Sequence, residues 1–180
     1  MAKQVLYVSV SGQIIDWQDT SAYHYPSPQP GTVVLPVSDQ QWAGRSAPAH
    51  VVAGVLVPGA LPLPPALAAQ QAYVAAVNAG VTISSVSAPA INGTFPLDQP
   101  ALMRISAEQT YIATTGTFTN KAATKAWRDI AGAPRLFPST VVFTAFAEAV
   151  AQYDDALLTA LAGGIAGATW EAPPMPAPII

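Results

Sequence analysis

TISSVSAPAINGTFPLDQPALMRISAEQTYIATTGTF, residues 82–118, holds the punctuation from which the rest of the chain is read. Asn92-Gly93 supplies the positive φ angles of a tight two-residue turn, so Ala90-Ile91 and Thr94-Phe95 are predicted to pair as a small hairpin. Asp98 follows as an N-cap whose carboxylate can accept from the free amides of a first helical turn. Pro100 sits where a missing N–H costs nothing. Leu102, Ile105 and Ile112 then fall on one helical face, with Gln109 as a polar interruption at the same spacing. Arg104 and Glu108 are the only charges on that helix.

Upstream the pattern is of strands. Residues 5–10 and 13–17 flank Ser11-Gly12 as a hairpin, and residues 32–37 form another short strand. Ser38 and Gln41 have the spacing of a capping box, which predicts one or two helical turns. Residues 51–57 read as a second hairpin about Ala53-Gly54. The run PGALPLPP, residues 58–65, is a semi-rigid linker by its prolines. A helix then begins at Pro65 and closes at Gly80, and residues 81–83 form a strand.

Downstream, residues 117–124 are polar and weakly structured by this reading, and segments 126–128 and 135–137 flank a further hairpin. Pro138-Ser139 opens the strongest helix. Phe143, Phe146, Val150, Tyr153, Leu157 and Leu161 form a continuous apolar seam along it, and Gly163-Gly164 is expected to stop it. The seam suits packing within its own domain or a short self-associating coiled coil. Residues 172–180 hold four prolines and read as an extended arm. The fold class predicted is α+β: a β-rich module at 1–57, the linker at 58–65, a helical module at 66–164 and a proline-rich tail at 165–180.

Composition narrows function. Charged residues are 9% of the chain, against roughly 25% in typical soluble proteins. So sparse a charged coat favours a partner that covers apolar surface, or else compositional drift towards alanine and proline. Seven basic residues, with Asp129 interrupting the densest run, do not make a nucleic-acid-binding face. There is no cysteine. Residues 51–69 are uncharged but carry Pro58, Pro62, Pro64 and Pro65, which a membrane-spanning helix would not tolerate together.

Catalytic patterns are thin. Ser21, His24 and Asp19 can be assembled into a triad on paper, without the strand-nucleophile-helix context such a site needs. Asp16, Asp19 and His24 have metal-ligand chemistry, yet turn-capping aspartates and a surface histidine account for them as well. Asp154 and Asp155 are adjacent on a helix and diverge by about 100°. No phosphate-binding glycine loop or zinc-protease sequence is present. The expectation is a non-enzyme with no catalytic residue, cofactor or metal. What remains is aromatic: Trp17, Tyr23, Tyr25 and Trp42 lie in the first module. Trp17 and Trp42 suit a mini-core, whereas Tyr23 and Tyr25, between turn clusters, suit partner contact.

These residues also carry a resemblance. G-x-I-x-x-W followed by D-T (Gly12, Ile14, Trp17, Asp19, Thr20), S-D-x-Q-W (Ser38, Asp39, Gln41, Trp42) and V-x-x-G-x-L-V (Val51, Gly54, Leu56, Val57) resemble the small N-terminal module of bacteriophage tail-fibre assembly proteins and related tail proteins. A-G-V-T-I-x-S at 79–85, N-G-T-F-P-L-D at 92–98, I-x-A-E-Q at 105–109 and F-x-A-F-x-x-A-V-x-x-Y at 143–153 resemble a phage domain of unknown function appended to such modules. The marks run from Val8 to Leu161; the proline-rich linker and tail depart from the pattern. The resemblance implies a chaperone of fibre folding and trimerisation, or a structural virion component such as a tail or baseplate adaptor or a decoration subunit. Its partners would be the tail fibre, neighbouring tail proteins or further copies in a homo-oligomer. Its location would be the host cytoplasm during assembly and the virion tail.

Overall fold

The computed structural model describes residues 3–179. The chain is α+β, with 37% helix and 23% strand, and divides into two compact units, Met1–Leu63 and Pro64–Ile180. The division falls inside the proline-rich run.

The first unit is built on β1 (Lys3–Val8), the centre of an antiparallel sheet between β2 (Ile14–Asp19) and β3 (Thr32–Pro36). Gly12 turns the first hairpin at φ +73°, and a Cβ there would lie 1.9 Å from the Val51 carbonyl oxygen. Glycine is required on both counts, because the Val51 amide reaches back to the Gly12 carbonyl at 2.8 Å. Helix α1 (Asp39–Ala43) starts at a complete capping box: Gln41 N donates to Ser38 Oγ at 3.2 Å, and Ser38 N to Gln41 Oε1 at 2.8 Å. Strands β4 (Ala49–Val52) and β5 (Val55–Pro58) form the second hairpin. Its central residues, Ala53 at φ 49° and Gly54 at φ 77°, have the twin positive angles that match strand twist.

The second unit holds helices α2 (Pro65–Ala79), α3 (Gln99–Thr115) and α4 (Thr140–Ile165), with hairpins β6 (Val81–Ile83)–β7 (Gly93–Phe95) and β8 (Lys125–Arg128)–β9 (Pro134–Phe137). Asp98 caps α3 by accepting from the Ala101 amide at 2.8 Å, and Ser139 caps α4 by accepting from Val142. The chain's five phenylalanines, Phe95, Phe118, Phe137, Phe143 and Phe146, are all buried in one cluster here. Tilted and edge-on ring pairs join them at 4.7 to 6.3 Å. The α4 seam faces this core from Phe143 to Leu157, so it packs within its own unit.

Three expectations are corrected. Asn92-Gly93 is no two-residue hairpin: residues 89–91 form a 3₁₀ turn, and β7 pairs with β6 instead. Asn92 turns its side chain back, accepting from the Ser85 amide at 2.6 Å. Gly93 is small for another reason, since a Cβ there would stand 3.0 Å from Arg135 Nε. The 117–124 segment has no helix or strand, as expected, and is held in place by the fully buried Phe118. The tail predicted at 165–180 does not run free over its described residues, which end at Ile179; there the Ile179 amide donates to Ser84 O at 2.9 Å.

Gly163-Gly164 is the third correction, because α4 continues through both to Ile165. Gly164 serves packing, since a Cβ there would fall 2.4 Å from Ala69 Cβ on α2. Alanine at a helical glycine normally gains about 1 kcal/mol, but overpacking a rigid contact costs about 1–3 kcal/mol. Gly164→Ala is therefore expected to lower the urea midpoint of the 222 nm ellipticity, and Gly164→Ala/Ala69→Gly to recover most of the loss. A single variant as stable as the parent would show that α2 yields freely.

Candidate functional site

The four aromatics singled out above come together as two separate pairs in the first unit. Trp17, on β2, and Trp42, on α1, meet edge to face with ring centroids 6.0 Å apart. Trp42 is further dressed by the chain's own cations, Lys3 Nζ at 5.5 Å and the Arg45 guanidinium at 5.0 Å from the ring centroid. Lys3 also bonds Asp39 at 2.9 Å, and this hydrogen bond holds the exposed Asp39 carboxyl below its ordinary value. Trp17 lines an apolar hollow of about 310 Å³ with Pro48, Ala49, Leu56 and Pro58.

Tyr23 and Tyr25 form the second pair, at 6.4 Å and 72°. The loop that carries them is built on Asp19, whose Oδ1 accepts from Ser21 N at 3.0 Å and Ser21 Oγ at 2.5 Å. Those bonds lower the Asp19 pKa. The Tyr25 hydroxyl accepts from the Asp19 amide at 3.4 Å. Ser21 thus spends its hydroxyl on a turn cap rather than facing an imidazole. Tyr23 remains 69% exposed and is the most accessible of the four. With His24 and Tyr25 it borders a shallow cleft of about 250 Å³ floored by Gln4 and Gln18. The other histidine, His50, is buried and spans its hairpin through Nδ1 to Gly59 O at 3.1 Å. Among the described residues, no cluster of three His, Asp or Glu side chains is placed to hold a metal. No described helix is long and apolar enough to cross a membrane.

What frames these rings is a very small core. Val5 and Val51 are the buried apolar side chains described in the first unit. Val10, Ile15, Val33, Val52 and Val55 are exposed beside them. A module of about sixty residues seldom gains more than about 3–5 kcal/mol from its core, and here Leu6, Trp17, Leu35 and Trp42 are only half-buried.

Sequence reasoning missed the ionic groups of the second unit. Glu108, 4% exposed on α3, accepts from Thr119 N at 2.9 Å, from Thr119 Oγ1 at 2.8 Å and from Lys125 Nζ. Burial pushes its carboxyl up, but the bonds from Lys125 and Thr119 outweigh burial and hold it below the usual range. Asp129 is paired to Arg135, through Nε at 2.9 Å and Nη2 at 2.7 Å, and this keeps its carboxyl low as well. The signal for Glu108 was its spacing: positions 105, 108 and 112 share the buried face. No protein family, curated protein or solved structure matches the chain.

Proposed function

We propose that this chain is a non-enzymatic bacteriophage tail protein that binds the tail fibre through the aromatic and apolar surface of its first unit and assists or caps fibre assembly. The observation that carries this reading is the imbalance in that unit, with two buried valines and a coat of exposed Val, Ile and Tyr. Such a surface is stabilised by a partner that covers it. Tyr23 and Tyr25 are the anchors: their loop is fixed by Asp19 before any partner arrives, so little rotamer freedom is lost on contact. The resemblance of the strand, capping-box and hairpin motifs to tail-fibre assembly proteins supplies the identity of the partner.

Co-expression of the chain with the tail fibre from its own genome tests the contact. Interface anchors of this kind contribute about 2 kcal/mol or more. Tyr23→Ala/Tyr25→Ala is therefore expected to cut the co-purified fibre at least tenfold while leaving the amide-hydrogen exchange protection of β1, the central strand of the first unit, unchanged. Recovery at the parental level would remove the contact. The second reading, a permanent adaptor or decoration subunit of the virion, is favoured by exposed apolar side chains beyond the first unit, among them Val74, Met103, Val141 and Leu158. Counting copies in purified particles against a tail protein of known number separates the two. A transient assembly factor is absent from finished particles, and a structural subunit is present in fixed stoichiometry.

A further inference from the structure

The segment 170–179 crosses the second unit as an extended strap with a regular side-chain period. Trp170, Pro173, Pro176 and Ile179 are half-buried, while the six residues between them are exposed. A spacing of three is the repeat of the polyproline helix, which sets every third side chain on one face. The four prolines at 173, 174, 176 and 178 favour that conformation before docking. Trp170 and Ile179, the ends of the face, pack against the phenylalanine core.

The seat is one face of α4. Ala145, Glu148, Ala149, Gln152, Tyr153 and Ala156 recur at helical spacing and, with the strap, line an open groove of about 520 Å³. The alanines keep the helix wall of this groove low, and Tyr153 adds an aromatic ring to it. At its far end Ile179 makes an isolated parallel bridge to Ser85, just beyond the end of β6. The strap reaches its seat through residues 166–169, all exposed, with Gly167 at φ +99°.

We infer that the α4 face is a recognition site for a proline-rich segment read at every third residue, and that the strap of a second copy of this chain takes the same seat by arm exchange. Any contact closed through a short exposed hinge can be made with identical groups from another copy. Here the strap side offers apolar faces and a backbone bridge, none of which depends on its coming from the same chain. The prolines reduce the ordering cost of binding in either case. This inference concerns the second unit and is independent of the proposed fibre contact.

The test uses a chain ending at Thr169 and a fluorescein-labelled peptide of residues 170–180, followed by anisotropy. Saturable binding is expected, and at least tenfold weaker binding to the intact chain, whose own strap competes. A peptide carrying Pro173→Asp and Pro176→Asp is expected to lose binding, while one carrying Met175→Asp and Ala177→Asp retains it. Equal loss from both peptides, or no binding by a shortened chain that keeps its helical ellipticity, overturns the site. Should the shortened chain fail to fold, the intact chain lacking residues 167–169 decides. Its strap cannot reach back, so light scattering is expected to show a dimer, and a folded monomer at all concentrations overturns the exchange.

Discussion

Phe143→Ala is expected to cost the second unit about 3–5 kcal/mol, the range for a large aromatic removed from a packed core. Typical domains have about 5–15 kcal/mol in total, so this single change consumes a large share. The size follows from position. Phe143 is fully buried and meets Phe118 at 5.9 Å, Trp127 at 5.3 Å, Phe137 at 5.1 Å and Phe146 at 5.5 Å. Those partners come from a loop, both strands of the β8–β9 hairpin and α4 itself, none free to collapse alone into the void. Urea unfolding followed at 222 nm reports this unit, because α2, α3 and α4 supply nearly all the helix. Phe143→Leu, which refills most of the volume, is expected to lose less than half as much. A loss below about 1 kcal/mol for the alanine variant would mean that the cluster relaxes, contrary to close packing.

Why some of this was legible in the sequence and some was not comes down to how far apart the deciding atoms lie. The capping box at Ser38, the cap at Asp98 and the Ala53-Gly54 turn each act within four residues, and each is found where its residues stand. Asn92-Gly93 fits a turn equally locally, but its residues answer to distant groups, the Ser85 amide and the Arg135 guanidinium. Gly164 likewise reads as a stop until α2 is seen against it, and only the fold brings Ala69 there. The strap was legible as extended, since proline dictates that, but its seat was not. The seat is an alanine-rich face of a helix whose stronger Phe, Val, Tyr and Leu seam drew the sequence reading. In the first unit the aromatic pairs were visible as residues; the cations over Trp42 come from Lys3 and Arg45, of which only Arg45 is near in sequence.

Glu108→Ala is expected to cost about 3 kcal/mol, near the lower end for a broken buried ion pair. The loss arises from what remains rather than from what leaves. Lys125, 17% exposed at its side chain, keeps its charge with no carboxylate opposite, and Thr119 loses the acceptor of both its amide and its hydroxyl. Since Thr119 follows the fully buried Phe118, the turn that seats that ring loosens too. Replacing both charges by apolar groups, as in Glu108→Leu/Lys125→Met, is expected to recover most of the loss, because no buried charge is then left unpaired. The pH dependence has a definite sign. The Glu108 carboxyl is held below its ordinary value in the folded chain, so the unfolded chain binds the proton more readily. Its contribution is complete above the usual glutamate value of about 4.3 and disappears as pH falls through the lower folded value. The stability difference between parent and Glu108→Gln should therefore hold from neutral pH to about pH 5 and shrink below about pH 4. Taking the difference cancels Asp129, also held low, and Asp154, whose carboxyl burial and the neighbouring Asp155 push up. A difference that stays flat to pH 2.5 would place the Lys125 partner elsewhere and return Glu108 to the role of a helix surface charge.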